Sequence, residues 1–143
     1  MAWRRAFTLV ELVVVIMILG ILAAVAMPRL LSAWGSATDS GLKQTLTVVR
    51  DAIDLYCAEH GGQLPPSDTE DNFRTALKSY LRGDFPKSPV GKKDNTVQFV
   101  SVDPGAAIVG DDATSWVFNS KDGRFVANCP SLCGDGATRY DQF

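Results

Sequence analysis

FTLVELVVVIMILGILAAVAM, residues 7–27, sets the architecture of this chain. Coiled as a helix, it would be about 31 Å long at 1.5 Å per residue. A bilayer's hydrocarbon core is about 30 Å thick. Thirteen of these residues are Leu, Ile, Val or Phe. At roughly −0.3 to −0.6 kcal/mol each, they favour insertion by about −4 to −8 kcal/mol in total. Arg4 and Arg5 stand just before the stretch. Basic residues prefer the cytoplasmic side, so the N-terminus is expected inside and the rest of the chain across the membrane.

Glu11 interrupts this pattern. A carboxylate deep in a membrane helix costs about 2.5–3.5 kcal/mol, which the apolar residues outweigh. Two readings of it stay open: a side chain reaching water near a helix end, or the partner of a cation inside an assembly. Two further identities also remain for the segment. It could be an ordinary uncleaved anchor, or a secretory signal with Ala24-Val25-Ala26 as a cleavage site, although such signals have apolar runs of only about 7–15 residues.

Beyond it, Pro28 predicts a kink or local melting, and Gly35 and Gly41 weaken the helix further. Leu42, Leu46, Val49, Ile53 and Tyr56 then recur at steps of four and three, one apolar stripe on a helix. His60-Gly61-Gly62 supplies a stop. One long helix over residues 8–59 is therefore expected. Ser67 and Glu70 have capping-box spacing for a second helix, with Phe73, Ala76, Leu77, Tyr80 and Leu81 on its apolar face and Gly83 at its end. Residues 96–102 alternate as a strand, with Val97 and Phe99 on one side. Residues 115–119 and 124–128 flank Asp122-Gly123, the pattern of a hairpin. The head is expected to be a helix against a small antiparallel sheet.

Composition narrows function. The chain has 143 residues, with 14 Lys+Arg against 16 Asp+Glu and a net charge of −2. It lacks the overall basic character of a nucleic-acid binder, so no nucleic-acid partner is expected. The single histidine, His60, is three residues from Cys57, but no third group is evident to orient the pair, and no phosphate-binding loop or metalloprotease motif is present. No enzyme chemistry is expected. Three cysteines fix no disulfide framework. Cys57 and His60 could join Cys129 and Cys133 in a zinc site only if the two halves met.

Arg4-Arg5-Ala6 followed by Phe7-Thr8-Leu9-Val10-Glu11-Leu12, with Gly20 and Pro28 beyond, resembles the prepilin cleavage and methylation motif of type IV pilins and type II secretion pseudopilins. The resemblance implies peptidase cleavage between Ala6 and Phe7 and methylation of the new Phe7 amine. Ala6 stands where the family usually has Gly. It also implies that Glu11 meets a Phe7 amine, its own or a neighbour's, and that Gly20 and Pro28 shape the assembling helix. Residues 56–65 and the segment Trp116–Asn119, Asp122-Gly123-Arg124, Asn128 are similar, more loosely, to pseudopilin heads. Many pilin heads staple a C-terminal loop, which makes Cys129 and Cys133 a candidate disulfide. The major pseudopilin usually carries a calcium loop, for which Asp111, Asp112, Asp135 and Asp141 offer oxygens without matching it residue by residue.

The fold expected from this resemblance is α+β and pilin-like, closest to major pseudopilins. It divides into a leader (1–6), a transmembrane and filament-core helix (7–28), its continuation (29–62) and an extracytoplasmic head (63–143). The expected role is a subunit of a type II secretion pseudopilus. The alternatives are a type IV pilin for adhesion, motility or DNA uptake, and a membrane-tethered binding domain that does not polymerise. Implied partners are like or related pilin subunits, prepilin peptidase, an inner-membrane assembly platform and membrane lipid. The chain would cross the inner membrane once, with its head periplasmic.

Overall fold

A computed structural model describes residues 7–143. The leader, with Arg4, Arg5 and Ala6, lies outside the described residues. The chain forms two compact units, one ending at Trp34 and the other running from Gly35 to Phe143. Helix α1, Leu9–Glu59, contributes to both. Pro28 lies inside it and the helix is unbroken there, so the melting expected at Pro28 does not occur. One missing N–H removes a single rung from a ladder of 51 residues.

In the first unit every side chain over residues 7–30 is exposed. Among the described residues no other element in that unit covers the helix, and its apolar residues run all round it. A helix apolar on every side needs lipid or other helices about it.

In the second unit the stripe on α1 finds its partner within the chain. Leu42, Leu46, Val49 and Ile53 are buried against Phe73 and Leu77 of α2 (Glu70–Leu77) and against a three-stranded sheet. Tyr56 packs on the same core, partly buried. Helix α2 is capped by Thr69, whose hydroxyl accepts from the Asn72 amide at 3.3 Å, and not by Ser67. Tyr80 and Leu81 lie past its end but still pack on the core.

The strands are β1 (Val97–Val100), β2 (Trp116–Asn119) and β3 (Phe125–Ala127), in that spatial order. β2 and β3 form the expected antiparallel hairpin, with Phe118 opposite Phe125. Gly123 closes its turn at φ 76°. That left-handed backbone favours glycine, and an added Cβ there would also stand 2.7 Å from Leu64 Cδ2.

β1 corrects the expected antiparallel sheet: it pairs with β2 in parallel, Val97 opposite Trp116, so the sheet is mixed. Alternation fixes which face a side chain takes but not the direction of the neighbouring strand. Parallel pairing needs a crossover of a dozen or more residues, which residues 101–115 supply. Two buried amides hold that crossover. Asn119 accepts from Val102 N at 3.0 Å and donates to its carbonyl at 2.8 Å. Asn128 accepts from Asp111 N and donates to Asp111 Oδ1, both at 2.7 Å, and to Thr114 Oγ1 at 2.9 Å. Trp116 and Phe118 face the helices, while Val117 turns to a smaller cluster with Ile108 and Val126.

Candidate functional site

Glu11 and Gly20 lie on the bare helix of the first unit, and Phe7 stands two residues before that helix begins. Glu11 is engaged locally. Its Oε2 accepts from the Thr8 amide at 2.9 Å and from the Thr8 hydroxyl at 2.8 Å, while the Glu11 amide donates back to Thr8 Oγ1 at 3.2 Å. This is a reciprocal capping box, which meets backbone donors that the first helical turn leaves unpaired. Glu11 Oε1 has no hydrogen bond among the described residues. The carboxylate therefore has one oxygen committed to starting the helix and one available for a cation. Thr8 is a functional residue that hydrophobicity and charge do not mark; the signal for it is the capping-box spacing of Thr8-Leu9-Val10-Glu11. At Gly20 an added Cβ would meet nothing within 4 Å, so in the isolated chain this surface is open.

In the second unit two side chains of α1 hold the C-terminal segment. Arg50 donates to the Phe125 carbonyl through Nε at 3.0 Å and Nη2 at 2.8 Å, and also reaches the Phe143 carbonyl. Asp39 accepts from the Gly134 amide at 3.0 Å and from the Tyr140 hydroxyl at 2.9 Å. Burial, with the bond to Asp39, pushes the Tyr140 hydroxyl up to about 12, so it remains a donor. Nothing in the sequence marks these contacts, because they join positions 75 to 101 residues apart.

Cys57, Cys129 and Cys133 are free thiols in the structure. Cys133 Sγ donates to Asp135 Oδ1 at 2.8 Å. That bond, with the amides of Thr138 and Ala137, holds the Asp135 carboxyl well below the usual aspartate range. Burial pushes the Cys57 thiol up, with Asp54 adding to it, which disfavours the thiolate a nucleophile needs. His60 stacks on Tyr56 at 3.9 Å and its Nδ1 lies 2.9 Å from the Tyr56 carbonyl. Among the described residues no group of three or more His, Cys, Asp or Glu side chains is placed to hold a metal ion. Neither the Cys57, His60, Cys129 and Cys133 set nor the four aspartates named for calcium forms such a group. Asp111 instead binds Ala113 N and Asn128, and Asp141 binds Gly110 N and Arg139.

A family model described as "Prokaryotic N-terminal methylation motif" matches residues 4–27. Type II secretion system core protein G of Pseudomonas aeruginosa is 32% identical over 101 residues, covering 71% of this chain and 68% of that protein. The chain belongs to the type IV pilin and type II secretion pseudopilin family. This pilin-like chain is also 41% identical over 59 residues to prepilin peptidase-dependent protein D of Escherichia coli, and 36% identical over 64 residues to type IV narrow pilus major component PilA5 of Thermus thermophilus. Those two matches span 40% and 54% of the relatives' own lengths. No solved structure matches the chain. Members of the family are structural subunits, not enzymes, which assemble into filaments after prepilin peptidase processing. One helix of the pilin-like chain, α1, is long and apolar enough to cross a membrane, and with the family motif it marks a membrane anchor.

Proposed function

We propose that the chain is a structural subunit of a type II secretion pseudopilus, cut between Ala6 and Phe7 and assembled through residues 7–28. The observation that carries this reading is the 101-residue likeness to a secretion-system core protein, which is too long to lie within the shared N-terminal motif. In this reading the Phe7 amine, freed by the cut and methylated, pairs with Glu11 of the same or a neighbouring subunit. The amine is mostly charged at neutral pH, with an ordinary value of about 7.7–8.0. Glu11 Oε1 supplies the opposite charge while Oε2 keeps the helix capped. The continuation, residues 29–62, and the head, residues 63–143, would then lie outside the inner membrane. There, oxidation of Cys129 and Cys133 to a disulfide is open to them.

N-terminal sequencing of sheared filaments tests this. Chains beginning at N-methylated Phe7 are expected. Uncut chains, found only as membrane monomers, would refute assembly. A second reading, a type IV pilin, rests on the 36% likeness to a pilus major component. Deleting the chain separates the two readings: lost secretion of exported proteins supports the pseudopilus, whereas lost surface pili with intact secretion supports the pilin.

A further inference from the structure

Charge is segregated along the second unit. Residues 51–71 carry six acids, Asp51, Asp54, Glu59, Asp68, Glu70 and Asp71, and no Lys or Arg. Residues 74–93 carry six bases and one acid, Asp84. Glu70, Asp71 and Arg74 suit the dipole of α2, acids at its start and a base in its last turn. No helix end accounts in that way for Asp51, Asp54, Arg82, Lys87 or Lys93. Contacts within the chain neutralise little of the charge. Arg74 pairs with Glu70, and Lys92 with Asp94. Arg82, Lys87 and Lys93 are exposed and form no ion pair among the described residues, and the same holds for Asp51 and Asp54.

The two sets lie on different surfaces. Asp51 is two residues past the buried Val49, about 200° round the helix, so it stands opposite the stripe that meets the core. Val48, Asp51 and Leu55, at steps of three and four, share that outer face, where Val48 is 47% and Leu55 53% exposed. Asp54 adjoins it at the rim of a groove formed with the crossover, the hairpin and the C-terminal segment. The arginines in that groove are engaged elsewhere, Arg50 by the Phe125 carbonyl, Arg124 by Asp122 and Arg139 by Asp141. Lys87 lines a second groove, beside α2, which shares no residue with the first. Asp71 and Asp84 border that second groove too, but residues 78–93 still hold five bases against one acid.

An open filament needs a heterologous contact, in which two different surfaces of each copy fit one another. Opposite charge on such surfaces sets their register and rejects like-charged approaches. Exposed apolar side chains flanked by acids suit Lys and Arg, whose stems cover apolar surface while their heads meet carboxylates.

We propose that the α1 face of Val48, Asp51, Asp54 and Leu55 on one copy docks against the basic segment 78–93 of the next copy. This rests on the assembly proposed above, and adds a contact between second units to that of the apolar helix.

Two full-length variants test it in cells that produce the chain: Asp51→Lys/Asp54→Lys, and Arg82→Glu/Lys87→Glu. All four positions are exposed, so both variants should keep the wild-type Tm in detergent. Each alone sets like charges against each other, and should yield at least about tenfold less sheared filament. Produced together, they should restore filaments that contain both chains, because the reversed surface of each fits the unaltered surface of the other. Wild-type yield from either variant alone overturns the proposal, as does failure to regain filaments when both are produced. Normal filament yield with lost secretion overturns it too, and assigns the charged surfaces to a different protein. If the unaltered chain forms no filaments, the assembly reading falls and this contact falls with it.

Discussion

The same helix behaves in two ways along its length. Leu9 is 78% exposed, whereas Leu42, about two turns past the start of the second unit, is fully buried. Both are leucines on α1. The difference lies in the pattern around them. Up to Leu30 apolar residues cover every side of the helix, and among the described residues no part of the first unit packs on it. From Leu42 onward they form a stripe, which α2 and the sheet cover. An all-round apolar surface can be satisfied only by something outside the chain, whereas a stripe can be satisfied from within it. Stability should therefore depend on the second region and assembly mainly on the first.

The sharpest way to break that division is a pair of truncations. Phe73 is fully buried among Phe85, Phe99, Phe118 and Phe125. Phe73→Ala should cost about 3–5 kcal/mol, seen as a Tm drop of more than 10 °C for the full chain in detergent. Ile16→Ala, on the bare helix, should leave that Tm unchanged. An equal loss from both would show that the two regions melt as one. Glu11→Gln comes next. It keeps an oxygen to cap the helix but removes the charge, so normal membrane insertion and a filament yield at least tenfold lower are expected, since unpairing a buried ion costs about 3–5 kcal/mol. Wild-type yield in the sheared fraction would mean that Glu11 serves only as a cap.

Smaller effects sharpen the picture of the head. Thr69→Ala should destabilise it by about 1 kcal/mol through the lost α2 cap, measurable by urea denaturation, while Ser67→Ala should do nothing comparable. The smallest effect is a pH slope. Ser115 and Thr96 donate to Asp94 and hold its carboxyl well below the ordinary aspartate value of 3.8. The native state then binds fewer protons than the unfolded chain, so this contribution is present above about pH 4 and is lost as pH falls through the lowered native value. Denaturation midpoints from pH 6 to pH 2 should fall less steeply in Asp94→Asn than in the wild type. Parallel curves would remove Asp94 from the acid response.

Local patterns made much of this legible. The stripe from Leu42 to Ile53 is the buried face of α1, and Asp122-Gly123 is the hairpin turn. The capping box of Thr8 and Glu11 is also present in the spacing, and the same glutamate carries both the cap and the charge. What local pattern could not give was pairing between distant segments. Strand β1 alternates as well for an antiparallel neighbour as for the parallel one it has. The contacts of Asp39 and Arg50 with the C-terminal segment follow from the closed fold.

By itself the sequence determined the apolar helix, its acid at the fifth position of the motif from Phe7, and the family, because each depends on residues a few positions apart. Only the tertiary structure decided the mixed sheet, the buried amides that hold its crossover and the braces on the C-terminal segment. Helix periodicity and capping are short-range, so a sequence window contains them. A hydrogen bond spanning a hundred residues exists only once the core has brought its two ends together.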